Sequence, residues 1–192
     1  MAIVGIIPSA AIQIGIYAVI VPATSFETAE SCEQQVLHLD FEAFEIRMST
    51  IYFYKPSNPH GYFSNFYESP IYLDKKTWPT VEHYFQAQKF HGTGFEEEIR
   101  LLPTPMDAKI AGQDKNKPLR SDWEKIKDDV MRLGVYAKFS QHENLKKLLL
   151  ETGSSHLVEH TSNDNYWGDG GDGKGRNMLG HILMEIREKL GP

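Results

Sequence analysis

Three short stretches of the chain carry residue types that could do chemistry together. In Glu82-His83-Tyr84-Phe85-Gln86-Ala87-Gln88-Lys89, an acid, a middle contact (Phe85 or Gln86) and a base recur at i, i+3/4 and i+7. On a helix this spacing puts them along one face. Glu82 and Lys89 then stand about 10 Å apart along the axis, a gap two long side chains can close on one ligand. The plain alternative is an amphipathic helix with both charges in solvent. Tyr84, Phe85 and Phe90 argue for burial instead, and a buried Lys89 would lose its proton more easily and could act as an amine nucleophile.

The second stretch is Gly61-Tyr62-Phe63-Ser64-Asn65-Phe66. It reads as a turn with exposed rings, or as a stacking platform for a flat heterocycle with Asn65 supplying a donor and an acceptor. The third runs from Asn165 through Tyr166, Trp167 and Gly168 to Lys174, Arg176 and Asn177, with five glycines among residues 168–175. Such a loop leading into a helix offers backbone N–H groups to a phosphate, and Lys174 and Arg176 add charge. It is not a P-loop: Gly175 replaces the hydroxyl residue that would hold magnesium, two Asp lie inside the loop, and no buried strand precedes it. The Asp spacing also misses the EF-hand pattern. Asp169 or Asp172 could orient a sugar hydroxyl or a water, and Trp167 sits poorly in a solvent-facing linker. The scattered histidines lack metal-ligand spacing, so no metal and no cofactor are expected.

The elements that must position these stretches are legible in outline. Residues 51–54 and 71–73 read as short strands, with Asp74-Lys75-Lys76 as a turn towards Thr77-Trp78 and a small antiparallel sheet as the result. Thr80 caps a helix over 80–90 that Gly92 ends. Thr104-Pro105 opens a short helix stopped by Gly112. Ser121-Asp122-Trp123-Glu124 and Ser140-Gln141-His142-Glu143 look like capping boxes for helices to about Lys138 and Leu150. Leu157-Val158 suits a short strand, and Leu179, Ile182, Leu183, Ile186 and Leu190 recur at helical spacing over 177–190. Helices outweigh strands and do not alternate with them, which predicts a helix-rich α+β single domain with a small antiparallel sheet.

This domain is expected over 48–192. Residues 1–47 read as an N-terminal extension, poorly folded or targeting: the first 24 are apolar and uncharged, yet no Lys or Arg precedes them and Pro8 and Gln13 interrupt them. The extension also explains most of the net charge of -6, because it holds six of the 26 acidic residues and one of the 20 basic ones. The body keeps 20 against 19 and is nearly neutral, which disfavours a general electrostatic nucleic-acid binder. One cysteine, Cys32, excludes an internal disulfide framework and cysteine-rich zinc modules. The cytoplasm is the default compartment, with targeting left open by the apolar start.

Five stretches in this order, FSNF (63–66), TWPTVEHYFQAQKF (77–90), KPLRSDWEKIKDDVM (117–131), LVEHT (157–161) and YWGDGGDGKGRNMLG (166–180), resemble the YbiA-like, or NADAR, family of N-glycosidases. The resemblance covers 51–190 and leaves the extension without a counterpart. It implies a YbiA-like fold and hydrolysis of the C–N glycosidic bond between a phosphorylated ribose and a base. The substrates it suggests are the phosphoribosylated pyrimidine intermediates of riboflavin biosynthesis. A glycohydrolase that removes ADP-ribose from guanine in nucleic acid is the alternative, and a non-catalytic module for ADP-ribose or NAD the second. Either enzyme needs a small-molecule or nucleic-acid-borne ribose phosphate and no obligate protein partner.

By matching position, the resemblance assigns catalysis to Glu82, which would activate water or shuttle protons. Lys89 would attack C1 of a ring-opened sugar to form a Schiff base, or only stabilise charge. Asp169 would hold ribose hydroxyls. Asn65 and Phe66 would bind the substrate, Trp167 would stack on the base, and the loop with Gly168, Gly173, Lys174, Arg176 and Asn177 would hold phosphate.

Overall fold

The computed structural model describes residues 49–191, so the expected extension over 1–47 lies outside the described residues. Four strands and six α-helices appear: β1 (Thr50–Phe53), β2 (Ile71–Leu73), β3 (Lys76–Trp78), α1 (Val81–Gln88), α2 (Gly94–Arg100), α3 (Pro105–Gly112), α4 (Trp123–Gln141), α5 (Glu143–Leu150), β4 (His156–Glu159) and α6 (Met178–Leu190). A single turn of 3-10 helix, Gly61–Phe63, precedes β2. The architecture is helix-rich α+β, as the sequence predicts. None of the described helices is long and apolar enough to cross a membrane.

The antiparallel pair is β2 with β3, in register Ile71 to Trp78. The residues between them, Asp74 and Lys75, both take positive φ, 53° and 63°, as a tight hairpin turn of the twist-matching kind demands. β1 does not join this sheet. It runs parallel to β4, more than 100 residues later, with Ile51 opposite Leu157 and Phe53 opposite Glu159. Parallel pairing requires a long crossover, and here the hairpin and five helices, α1 to α5, make it.

The helix starts follow the side-chain oxygens in part. Thr80 Oγ1 accepts from the His83 N–H, and Thr104 Oγ1 accepts from the Asp107 N–H with Pro105 opening α3; each satisfies a donor with no partner inside its helix. The other two expected boxes fail. Asp122 and His142 are the caps of α4 and α5, and neither makes a side-chain cap bond. Ser140 instead lies inside α4, with its hydroxyl on the Ala137 carbonyl. Helix α2, absent from the sequence reading, has only two buried residues, Glu96 and Ile99, so little apolar period betrays it.

Helix α1 is the centre of the molecule. All eight of its residues are buried, and it packs against α2, α3 and α4. The core gathers Trp78, Val81, Tyr84 and Phe85 from around its start, Met131, Val135 and Phe139 from α4, and Leu179, Ile182, Leu183 and Ile186 from α6. Burial all round explains why α1 has no polar face to give its charged residues to solvent.

Candidate active site

Glu82 of α1 and Lys89, the residue that follows this helix, open into a cavity of about 540 Å³. Its walls come from six places in the chain: residues 54–57 after β1, the segment 64–66, α1 with Lys89, α3 with Gln113, Met131 of α4, and the stretch from Glu159, the last residue of β4, to Trp167.

Segment 64–66 is pinned from two sides. The Asn65 carbonyl accepts from the Glu82 N–H at 3.1 Å, so the polypeptide itself occupies a donor at the start of α1. The Lys138 ammonium, wholly buried in α4, donates to the Ser64 carbonyl at 2.9 Å. The Asn65 amide donates to Met131 Sδ, and its oxygen has no partner although it is buried. Phe66, half-buried, faces the cavity with the Lys109 ammonium 5.7 Å from its ring centre.

Glu82 is buried and accepts from the Gln86 amide at 2.7 Å, one helical turn on. Burial raises its pKa, partly offset by the Gln86 bond and by Lys109 and Lys89, while Asp164 adds to the rise. Lys89 follows the last residue of α1 and donates to the Gly112 carbonyl at 3.0 Å. Its ammonium lies 5.8 Å from the ring centres of both Phe85 and Trp123. Burial lowers its pKa against the pull of Glu82 and Glu124, and Lys109 lowers it further. The acid and the amine on one face of α1 thus share one cavity with Phe85, Gln86 and Trp167. Trp167 meets Phe85 edge to face at 5.3 Å, so its ring forms part of an aromatic wall.

The glycine-rich loop stands apart from this cavity. Of its residues only Trp167 lines it; Gly168, Asp169, Gly173, Lys174, Arg176 and Asn177 do not. The backbone donors expected to wrap a phosphate are largely committed to the loop itself: Gly170 to the Asp164 carbonyl, Gly175 to the Asp169 carbonyl, Arg176 to the Asn165 carbonyl and Asn177 to the Gly168 carbonyl. Asp169 is buried and accepts from the Thr161 and Gly171 N–H groups, with its second oxygen 2.7 Å from His160 Nδ1. Burial pushes its pKa up, but these bonds outweigh it and the group stays below the usual carboxylate range. Arg176 stacks over Tyr166, 4.6 Å from the ring centre. Lys174 is exposed and 3.4 Å from Asp172. Asn177 takes a left-handed conformation, φ 48°, and its side chain bridges the Leu157 carbonyl and the Glu159 N–H, clamping β4 to the start of α6.

Several polar residues at the cavity were not singled out from the sequence, among them Tyr54, Lys109, Glu159 and Asp164. Asp164 Oδ1 accepts from the Tyr166 and Trp167 N–H groups, both at 2.7 Å, an Asx turn that sets the indole. Lys109 is a cation that pulls on both Glu82 and Glu159. Glu159 is pushed up to about 8, first by burial, then by Asp164 and Glu82, against Lys109. Glu159 lies within the LVEHT stretch; Lys109 sits in a helix with no motif of its own, and only the α1–α3 packing brings it in. Among the described residues no group of three or more His, Cys, Asp or Glu could hold a metal ion.

Comparison with known proteins shows the family of the chain. Residues 52–191 match the NADAR domain. The chain is 57% identical over 140 residues to N-glycosidase YbiA of Escherichia coli, covering 73% of this chain and 88% of that one. It is 42% identical to an N-glycosidase of Nostoc punctiforme, covering 73% and 92%, and 44% identical to a riboflavin biosynthesis protein of Vibrio vulnificus, of which it spans 38%. The NMR structure of E. coli YbiA superposes with a TM-score of 0.69 at 56% identity, covering 74% of this chain and 84% of that one. The match over residues 52–191 and the identity to relatives covered over most of their length make this chain a member of the NADAR domain family.

Proposed function

We propose that the chain is an N-glycosidase that hydrolyses the C–N bond joining ribose 5-phosphate to a pyrimidine in the early intermediates of riboflavin biosynthesis. Its family and the names of its relatives support the reaction class: a hydrolase of N-glycosyl bonds. The observation that carries the reading is the convergence of Glu82 and Lys89 on one aromatic-walled cavity. About 540 Å³ falls within the range that holds a small organic ligand. Phe66, Phe85 and Trp167 offer faces and edges to a flat base. Lys109, with Lys55 at the same cavity, supplies positive charge for the 5-phosphate, a task the glycine loop is badly placed to perform.

Glu82 takes a proton from the water that attacks C1, and a hydrogen-bonding Gln86 keeps its carboxyl oriented. Lys89 faces the same space with a weakened hold on its proton, as an amine that attacks C1 of the open-chain sugar must have. A binding-only module has no need of a buried acid and a half-buried amine at one ligand.

The test incubates the full chain with the two phosphoribosyl pyrimidine intermediates and, separately, with DNA bearing ADP-ribosylated guanine, and measures released base by mass spectrometry. Release from the pyrimidines, lost by at least about 100-fold in Glu82→Gln, is expected. Release from the DNA alone would replace the substrate by ADP-ribosylated guanine. No release from either, with ligand still bound, would leave a binding module.

A further inference from the structure

A carboxyl that activates water is half of what cleavage of an N-glycosidic bond requires, because the departing nitrogen must also be protonated unless it leaves as a stable anion. We propose that Glu159 is the acid that delivers this proton, from the end of β4 into the same cavity. The proposal rests on the N-glycosidase reading above and extends it to a residue of a different element.

Four observations carry it. Glu159 lines the cavity that Glu82 lines. Its backbone is fixed on both sides: its N–H donates to Asn177 Oδ1 at 3.0 Å, and its carbonyl accepts from the Asp169 N–H at 2.9 Å. Its carboxyl has no hydrogen-bond or ion-pair partner among the described residues, whereas Glu82 is engaged by Gln86, Asp164 by two N–H groups and Asp169 by two N–H groups and His160. It is therefore the free carboxyl of the cluster. The groups that act on it are Glu82 of α1, Lys109 of α3, and Asp164 and Asp169 of the loop that follows β4; Tyr54 after β1 also feels its charge. Burial and three acids outweigh one lysine, and the side chain still carries its proton at neutral pH. Glu82, bonded to the Gln86 amide and drawn on by both Lys89 and Lys109, and Glu159, with no such bond and only Lys109 to draw on it, sit in unlike surroundings, the condition under which two acids divide into base and acid.

The step balances as follows. The C1–N bond breaks and its electron pair passes to the base nitrogen, which takes the proton of Glu159. Water adds to C1 and gives a proton to Glu82. The free base and ribose phosphate leave, Glu82 is neutral and Glu159 charged, and one proton exchanged through solvent restores both. The substrate class follows: N-ribosides whose leaving nitrogen is a poor anion, such as an amino group carried on a heterocycle.

The experiment compares kcat, KM and their pH dependence for the full-length wild type, Glu159→Gln and Glu159→Asp on whichever phosphoribosyl pyrimidine the wild type hydrolyses. Glutamine keeps the shape and removes a half-buried acid crowded by three others, so the variant is expected to fold with a melting temperature at pH 8 no lower than the wild type's. In the wild type kcat falls above about pH 8 as the acid deprotonates. Glu159→Gln lowers kcat by about 100-fold or more, leaves KM within about threefold and abolishes the alkaline fall; Glu159→Asp restores at least about tenfold and the fall with it. A Glu159→Gln enzyme within about fivefold of wild type, or one that is slow yet keeps the same alkaline fall, or one that changes only KM, overturns the assignment while the N-glycosidase reading stands. A wild type that releases base from neither pyrimidine nor ADP-ribosylated guanine overturns that reading and this assignment with it.

Discussion

Lys89 presents the sharpest question at the scale of single residues. Its ammonium is held by one backbone carbonyl, that of Gly112, and by the faces of Phe85 and Trp123, with no carboxylate in direct contact. A purely electrostatic lysine is usually paired; one bonded to a single carbonyl can give up its proton and turn to a carbonyl carbon. Borohydride added during turnover is expected to leave a sugar phosphate covalently on Lys89, read by peptide mass, and Lys89→Arg is expected to lose both the adduct and at least about 100-fold in kcat. Retained turnover in Lys89→Arg without an adduct would assign the lysine to charge stabilisation alone.

At the scale of elements, the site depends on how closely α3 lies against α1. Gly112 ends α3, and a Cβ placed on it would overlap Gln86 Oε1 and lie 2.8 Å from the Gln86 Cβ. Those are contacts that neither helix can give without moving. The same glycine's carbonyl anchors Lys89, and α3 carries Lys109. Gly112→Ala is therefore expected to cost about 1–3 kcal/mol in chemical denaturation and to lower kcat more than the stability loss explains, because Gln86, Lys89 and Lys109 all shift. Gly180 makes the corresponding close approach on the other side, where a Cβ would overlap the Leu157 carbonyl and the Asn177 side chain. There α6 is held against β4, so that helix positions Glu159 without supplying a cavity residue.

At the scale of the whole molecule, the most unusual feature is a lysine in the core. Lys138 is 1% exposed, donates only to the Ser64 carbonyl and lies 5.3 Å from the ring centres of Tyr67 and Phe139. Burial drives its pKa down to about 7. In the unfolded chain it keeps its proton up to about 10.4, so between about 7 and 10 the unfolded state binds the extra proton. Stability should then rise with pH across that window, by at most about 1.4 kcal/mol per unit from this one group, and be flat below it. Lys138→Met is expected to remove that slope, read as the difference between wild-type and variant unfolding free energies from pH 6 to 10. A parallel pair of curves would show that Lys138 is not titrating. The variant also frees the Ser64 carbonyl, so the 64–66 wall of the cavity should loosen and KM rise.

Much of this was legible in the sequence for a definite physical reason. Helix α1 with its cap, the pairing of Glu82 and Lys89 on one face, and the helix-rich α+β character depend on local rules: a side-chain oxygen at a helix start, a 3.6-residue period, apolar spacing. The family resemblance rests on the same local stretches. Tertiary structure alone decided the rest, because it brings together residues whose separation in sequence carries no signal. The pairing of β1 with β4 across the chain, the arrival of Lys109 on a helix of no motif, and the approach of Glu159 to Glu82 are of this kind. The glycine-rich loop shows the limit most clearly: composition announces backbone donors, but only the folded loop reveals that Asp164, Asp169 and its own carbonyls have already taken most of them, since a donor serves a ligand only when nothing nearer satisfies it.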